Sequence, residues 1–175
     1  IECQSTNETL KLLDDDKIDI GLIGKPTSLK TFNFYYLDNI EDIFVTTKDY
    51  LRNLSARVSK ERNLQNSTLM LLDKGNMTRK YIDDYLQENQ IHVKDSIDIS
   101  NMDLLIDFAK IGVGVACVIK SIVSKELADG TLIEIPLGIP IHKREVGFAY
   151  KESSKLSTSL QTFIKFYESY TPEDF

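Results

Sequence analysis

With 175 residues, 42% of them apolar and 27% charged, the chain has material for a packed core and is not a disordered tail. Its 27 Asp and Glu residues outnumber 21 Lys and Arg, and the net charge of −6 argues against direct binding of DNA or RNA by these residues. Cys3 and Cys117 are too few for a disulfide framework and stand in no C-x-x-C pair, which fits free thiols in a reducing cytosol; with only His92 and His142 besides, neither a metal cluster nor a cofactor site is expected.

In chain order, Ile1 to Gln4 reads as the tail of a strand, and Ser5 with Glu8 forms an S-x-x-E capping box that opens a helix carrying Leu10 and Leu13 inward. The Asp14 to Asp16 run ends it. Ile18 to Ile23, closed by Gly24 and Pro26, is almost wholly apolar, the pattern of a strand buried on both faces of a parallel sheet. Phe32 to Leu37 and Ile43 to Thr47 predict two more strands, and the charged stretch from Lys48 to Asn66 a surface helix and connection. Thr68 to Leu72 is a strand and Thr78 to Asn89 a helix with Tyr81, Ile82, Tyr85 and Leu86 on one face. Val93 to Ile99 alternates as a strand, Ser100 is expected to cap a helix carrying Leu105, Phe108 and Ala109, and Gly112 ends that helix. Val113 to Ile119 is a buried strand, Ser121 to Ala128 a helix, Asp129-Gly130 a turn and Leu132 to Ile135 a short strand. The chain closes with a strand over Glu145 to Tyr150 and an amphipathic helix bearing Leu156, Leu160, Phe163, Ile164 and Tyr167.

Strands alternating with helices predict an α/β architecture with mostly parallel sheets, divided into two lobes that the chain joins by crossing twice, near Ser59 to Asn66 and near Leu137 to His142. The carboxyl ends of the strands would then face a cleft, the usual ligand position in open α/β sheets. The longest mainly apolar stretch, Ile111 to Val123, contains Lys120 and is too short to span a membrane. No signal peptide is visible, although the chain starts at Ile1 without an initiator Met and reads as a piece of a longer protein. The sequons at Asn7, Asn53, Asn66 and Asn76 are read as chance.

Catalytic patterns fail on spacing. Gly21 to Thr27 has its glycines too close together for a phosphate loop, and Pro26 separates Lys25 from the hydroxyl residue. Gly112-Val113-Gly114 follows a helix and enters a strand, the reverse of the dinucleotide-binding order, and reads as a helix stop before a close-packed strand. No G-x-S-x-G elbow exists, and neither histidine has an apolar frame that would tune it as a base. No catalytic residue is therefore assigned. Two strand ends instead turn directly into helices: Asp73 to Arg79, and Ser100-Asn101-Met102. Both present backbone N–H groups and a hydroxyl suited to a small polar or anionic ligand. Ordinary helix capping accounts for either segment alone, and Arg79 is equally a candidate for pairing with Asp83 at i,i+4.

The run Leu71 to Asp83, followed by Ile99 to Ala116, resembles the effector-binding domain of LysR-type transcriptional regulators, as do the segment Thr6 to Gly24 and the closing strand Arg144 to Lys151. The resemblance extends over essentially the whole chain. It implies a periplasmic-binding-protein-like fold of two α/β subdomains with a ligand cleft and two crossovers: subdomain I over residues 1–62 and 141–175, subdomain II over residues 63–140. By position it puts Gly75, Asn76, Met77, Thr78, Ser100, Asn101 and Met102 in the cleft, with Lys25, Pro26 and Thr27 on the side of the first lobe. It further implies a bacterial, cytoplasmic regulator, a small-molecule effector, and pairing into homodimers or homotetramers. DNA would be bound only through a winged helix-turn-helix domain that this chain does not contain, and no membrane is involved. The family's first strand and first helix of lobe one have no counterpart here, since Ile1 aligns with its second strand. A solute-binding protein of a transporter shares the fold and is the rival, followed by an enzyme on a similar two-lobe frame. A helix-turn-helix upstream of Ile1, in place of a signal peptide, separates the first two.

Overall fold

The computed structural model describes residues 5–26, 28, 31–56, 63–151 and 157–169. The proposed strand tail at Ile1 to Gln4, together with Cys3, Thr27 and Leu156, lies outside them. The chain divides into two compact units, one formed by Ile1–Asp38 with Glu145–Phe175 and the other by Asn39–Arg144.

In the first unit, helix α1 (Thr6–Asp14) opens with the expected capping box, Ser5 and Glu8 each satisfying the other's backbone. Strands β1 (Gly21–Gly24), β2 (Phe32–Ile40) and β8 (Arg144–Lys151) form a sheet in the order β1-β8-β2, to which α7 (Thr158–Ser169) is added after β8. Leu13, Ile23 and Ala149 make the core, with Leu10, Ile18, Phe32 and Phe34 against it. The expectation of a doubly buried strand in a parallel sheet is corrected here. β1 runs antiparallel to β8 at the sheet edge, and Leu22 is 59% exposed because only the Gly21 and Ile23 face meets α1. That contact is close: a Cβ on Gly21 would collide with the Thr9 side chain. Phe148, Phe163 and Tyr167 fasten α7 to β8 through edge-on ring contacts.

The second unit is a five-stranded sheet in the order β5-β4-β6-β3-β7, where β3 is Asp42–Thr46, β4 Thr68–Leu72, β5 Asp95–Ile99, β6 Val115–Ile119 and β7 Ile133–Glu134. The sheet is mixed and not mostly parallel: β4 is parallel to β5 and β6, whereas β3 runs antiparallel to β6 and β7. This pairing also corrects the lobe boundary. β3 and the helix α2 (Lys48–Ser55) belong to the second unit, and the chain passes between units at 38–39 and 144–145, inside β2 and β8, and not near 59–66 or 137–142. An antiparallel partner about 75 residues later leaves no periodic trace in the sequence of β3.

Alternation along the strands sends their side chains to two cores. Met70, Leu72, Val45 and Val118 meet α5 (Met102–Lys110) and α6 (Ser124–Asp129) on one face through Leu105, Ala109 and Leu127. Leu69, Leu71, Phe44 and Cys117 meet α4 (Met77–Glu88) on the other through Ile82, Tyr85 and Leu86, with Leu64 of the short α3 (Asn63–Asn66). Gly112 takes φ +74°, ending α5 with Gly112 and Val113 amides bonded back to Ala109 and Phe108 carbonyls. Gly114 is required by close approach, since a Cβ there would lie 2.3 Å from the Thr68 carbonyl oxygen. Asn101, and not Ser100, is the N-cap of α5, its Oδ1 accepting from the Leu104 amide at 2.9 Å.

Arg79 braces this unit from the first turn of α4. Only 6% exposed, it donates from Nη1 to the Leu72 carbonyl at the end of β4 and to Asp98 of β5, and from Nε to Asp83. The guanidinium holds the Asp98 carboxyl below its ordinary range. A carboxyl whose value falls on folding lends stability above its unfolded value and loses it as pH drops through the folded one. Denaturant unfolding between about pH 6 and about pH 2 is expected to show a loss of stability beginning near the ordinary Asp value of about 3.9, and Asp98→Asn to make that loss shallower; identical profiles would show that the pair contributes nothing. Leu105, fully buried under the sheet, should cost about 2–5 kcal/mol when changed to Ala, read from the same unfolding curves.

Candidate functional site

The carboxyl ends of β4 and β5 are paired, Leu72 opposite Ile99, and the Asp73 amide extends the ladder by bonding the Ile99 carbonyl at 3.1 Å. From these adjacent ends the chain leaves in opposite directions: α4 packs on one face of the sheet and α5 on the other. Adjacent strands whose helices part to opposite faces leave a crevice at the sheet's carboxyl edge, bounded by two helix N-termini. The partial positive charge of each terminus favours an anion or a polar acceptor.

At α4, Asn76 is the N-cap and accepts from the Thr78 amide at 2.8 Å, so its side chain is engaged locally. Gly75 is exposed, and a Cβ there would meet open space, so no close backbone approach requires glycine at this position. Met77 is half-buried. Thr78 accepts at Oγ1 from Arg144 at 3.2 Å, and its hydroxyl proton has no acceptor among the described residues. At α5, Ser100 is exposed with no hydrogen bond on its hydroxyl among the described residues, Asn101 caps, and Met102 packs on the core beneath the sheet. Arg79, the cation the sequence places nearest, is spent on the brace.

In the first unit Lys25 follows β1. Its ammonium is paired with Glu145 at 2.5 Å and lies 5.4 Å from the centre of the Phe34 ring; Pro26 is half-buried.

Two groups at the edge of the second unit escaped the sequence. Asp42, at the head of β3, has a completely buried carboxylate that accepts from Arg144 Nε at 2.6 Å and Nη2 at 2.8 Å. The Arg144 guanidinium lies 5.2 Å from the centre of the Tyr81 ring, one turn along α4 from Thr78. Tyr81 in turn donates to the His142 carbonyl at 2.8 Å. A charged residue directly before the apolar run Ile43-Phe44-Val45 was the available hint, because a carboxylate buried there needs a cation; nothing in the sequence says that the cation stands 102 residues later.

Other features are structural. Burial pushes the Cys117 thiol well above its ordinary range, which makes it a core residue of β6 and not a reactive one. A depression of about 210 Å³ lined by Leu64, Tyr85, Ile91, Leu137 and Ile139 lies toward the far end of α4. Among the described residues no His, Cys, Asp and Glu side chains group as metal ligands, and no helix is long and apolar enough to cross a membrane.

Comparison with known proteins bears on the whole chain. It is 23% identical over 168 residues to the HTH-type transcriptional activator CmpR of Synechocystis sp. PCC 6803, a match spanning 95% of the chain and 54% of CmpR. The chain thus spans about half the length of the curated relatives it matches. The regulatory domain of CcmR from Synechocystis PCC6803 in complex with 2-PG superposes with a TM-score of 0.80 at 14% identity, covering 94% of this chain and 78% of that one. The effector binding domain of QuiR in complex with shikimate gives 0.79 at 16% identity, covering 98% and 80%. The fold is therefore the periplasmic-binding-protein-like fold of these domains. Residues 1–171 match the LysR substrate binding domain, and the chain belongs to that family.

Proposed function

We propose that the chain is the effector-sensing part of a LysR-type transcription regulator, binding a small polar or anionic metabolite and passing its presence to a DNA-binding domain carried elsewhere in the parent protein. The observation that carries this reading is the divergence of α4 and α5 from the paired ends Leu72 and Ile99, in a chain of this family. The hydroxyls of Thr78 and Ser100 offer donors at that edge, while the Asn76 and Thr78 amides are taken by the Asp73 carbonyl and the Asn76 side chain. Met102, packed on the core, offers its backbone only. Lys25 enters with its charge already matched by Glu145, so Lys25, Pro26 and Thr27 are a weaker part of the proposal. Relatives of about twice the length are named helix-turn-helix regulators, and two domains of the same fold were solved with shikimate or 2-PG.

On this reading binding biases one of two conformations of the parent protein, a cytoplasmic homodimer or homotetramer, and the chain itself performs no catalysis. A thermal-shift screen of small carboxylates, amino acids and sugars tests it, because a ligand that binds only the folded chain raises the melting temperature. For a compound found that way, Thr78→Ala combined with Ser100→Ala is expected to weaken binding about tenfold or more, each lost hydrogen bond contributing about 0.5–1.5 kcal/mol, without lowering the unfolding midpoint of the free chain by more than a degree or two. Unchanged affinity would move the site elsewhere. The isolated chain should give no sequence-specific retardation of promoter DNA at physiological salt; specific retardation would contradict the assignment.

A further inference from the structure

We propose that Arg144 is the residue that recognises the effector, and that the group it recognises is a carboxylate. The proposal rests on the reading of the second unit's carboxyl edge as the effector site and deepens it. A guanidinium has five N–H donors in a planar fork. In Arg144 the Nε donor and one from Nη2 go to the two oxygens of Asp42, and Nη2 also donates to Thr78 Oγ1. The two donors of Nη1 have no acceptor among the described residues. The Thr78 hydroxyl proton likewise has none, and both stand at the positive end of α4. Every unused group here is a donor.

The fork is also held still. The buried Asp42 carboxylate fixes its plane from one edge, Thr78 from the side, and the Tyr81 ring lies against its face, so the side chain is only 12% exposed. An arginine ordered in advance by a buried carboxylate loses little freedom on binding; with its Nη2 donors already given to Asp42 and Thr78, it offers Nη1 to one oxygen of a carboxylate while the Thr78 hydroxyl proton is offered to the other, a two-point contact suited to a planar acceptor. Asp42 already balances the guanidinium and Glu41 is paired with Lys120 and Lys143, so the preference for a carboxylate comes from the placement of the donors and not from a surplus positive charge.

The test is isothermal titration of the chain at pH 7 with pyruvate, benzoate and shikimate, each against its neutral amide, after a broader screen that includes sugars and amino acids. Removing Arg144 alone would strand the buried Asp42 charge, so the main variant is the double change Arg144→Gln with Asp42→Asn, which keeps a neutral hydrogen-bonded pair. Arg144→Lys, which keeps the charge and loses the fork, is the second. The wild type is expected to prefer a carboxylate over its amide by at least tenfold, and both variants to lose that preference while their unfolding midpoints show them folded. A merely structural arginine would lower affinity for acid and amide alike. If the chain binds only uncharged compounds, or if the variants keep the preference, the inference is overturned and the effector-site reading stands. If no compound of any class binds the wild type, the reading itself fails and the inference with it. Should the double variant not fold, Arg144→Lys alone decides.

Discussion

The second unit depends on one crossing of constraints at the end of β4. There a parallel ladder must stop, one helix must leave for each face of the sheet, and the last carbonyl of the strand must still find a donor. Arg79 meets the last of these demands and links the pieces around it: it caps the Leu72 carbonyl, reaches across to Asp98 on the neighbouring strand, and is anchored on α4 through Asp83. An ordinary surface cation could not do this. The brace is buried enough to be ordered and wet enough at Asp83 and Asp98, whose side chains are 48% and 41% exposed, to avoid the full desolvation cost of an interior ion pair.

With Arg79 so engaged, the chemistry that the proposed site could use is left to groups that the fold does not consume. Asn76 and Asn101 spend their side chains on capping, and Met102 spends its own on the core. The hydroxyls of Thr78 and Ser100 and the outer edge of Arg144 are what remain. Arg144 is the last residue of the second unit and Asp42 lies just after the chain has entered it, so their pair ties together the two stretches of backbone that lead to the first unit.

Much of this was legible in the sequence, and the parts that were not have a common cause. Local signals held: the capping box at Ser5 and Glu8, the helix stop at Gly112, the tight entry at Gly114 and the apolar face of Tyr81, Ile82, Tyr85 and Leu86 all follow from neighbours within a turn or two. Failures came where a distant partner decided the outcome. The Ile18 to Ile23 run was read as doubly buried, but burial depends on what covers each face, and Leu22 is uncovered. The direction of β3 is set by β6, and its pairing moves the unit boundary to Asn39. The cap of α5 fell one residue late, on Asn101, because Ser and Asn are both good caps and only the backbone extension of β5 chooses between them. Of the candidate residues, Ser100 stands with a hydroxyl that has no hydrogen bond among the described residues and Thr78 with one that only accepts, from Arg144, while the pair beside Thr78, Asp42 and Arg144, joins two sequence-distant strand heads.

The most direct measurement of the central claim is amide chemical-shift mapping of the labelled chain during titration with a carboxylate that stabilises it. The account predicts that the perturbed amides concentrate at Asp73 to Tyr81, at Ser100 to Leu104, and around Asp42 and Arg144. Perturbations confined instead to the depression at Leu64, Tyr85 and Ile139, with these three segments unmoved, would contradict it.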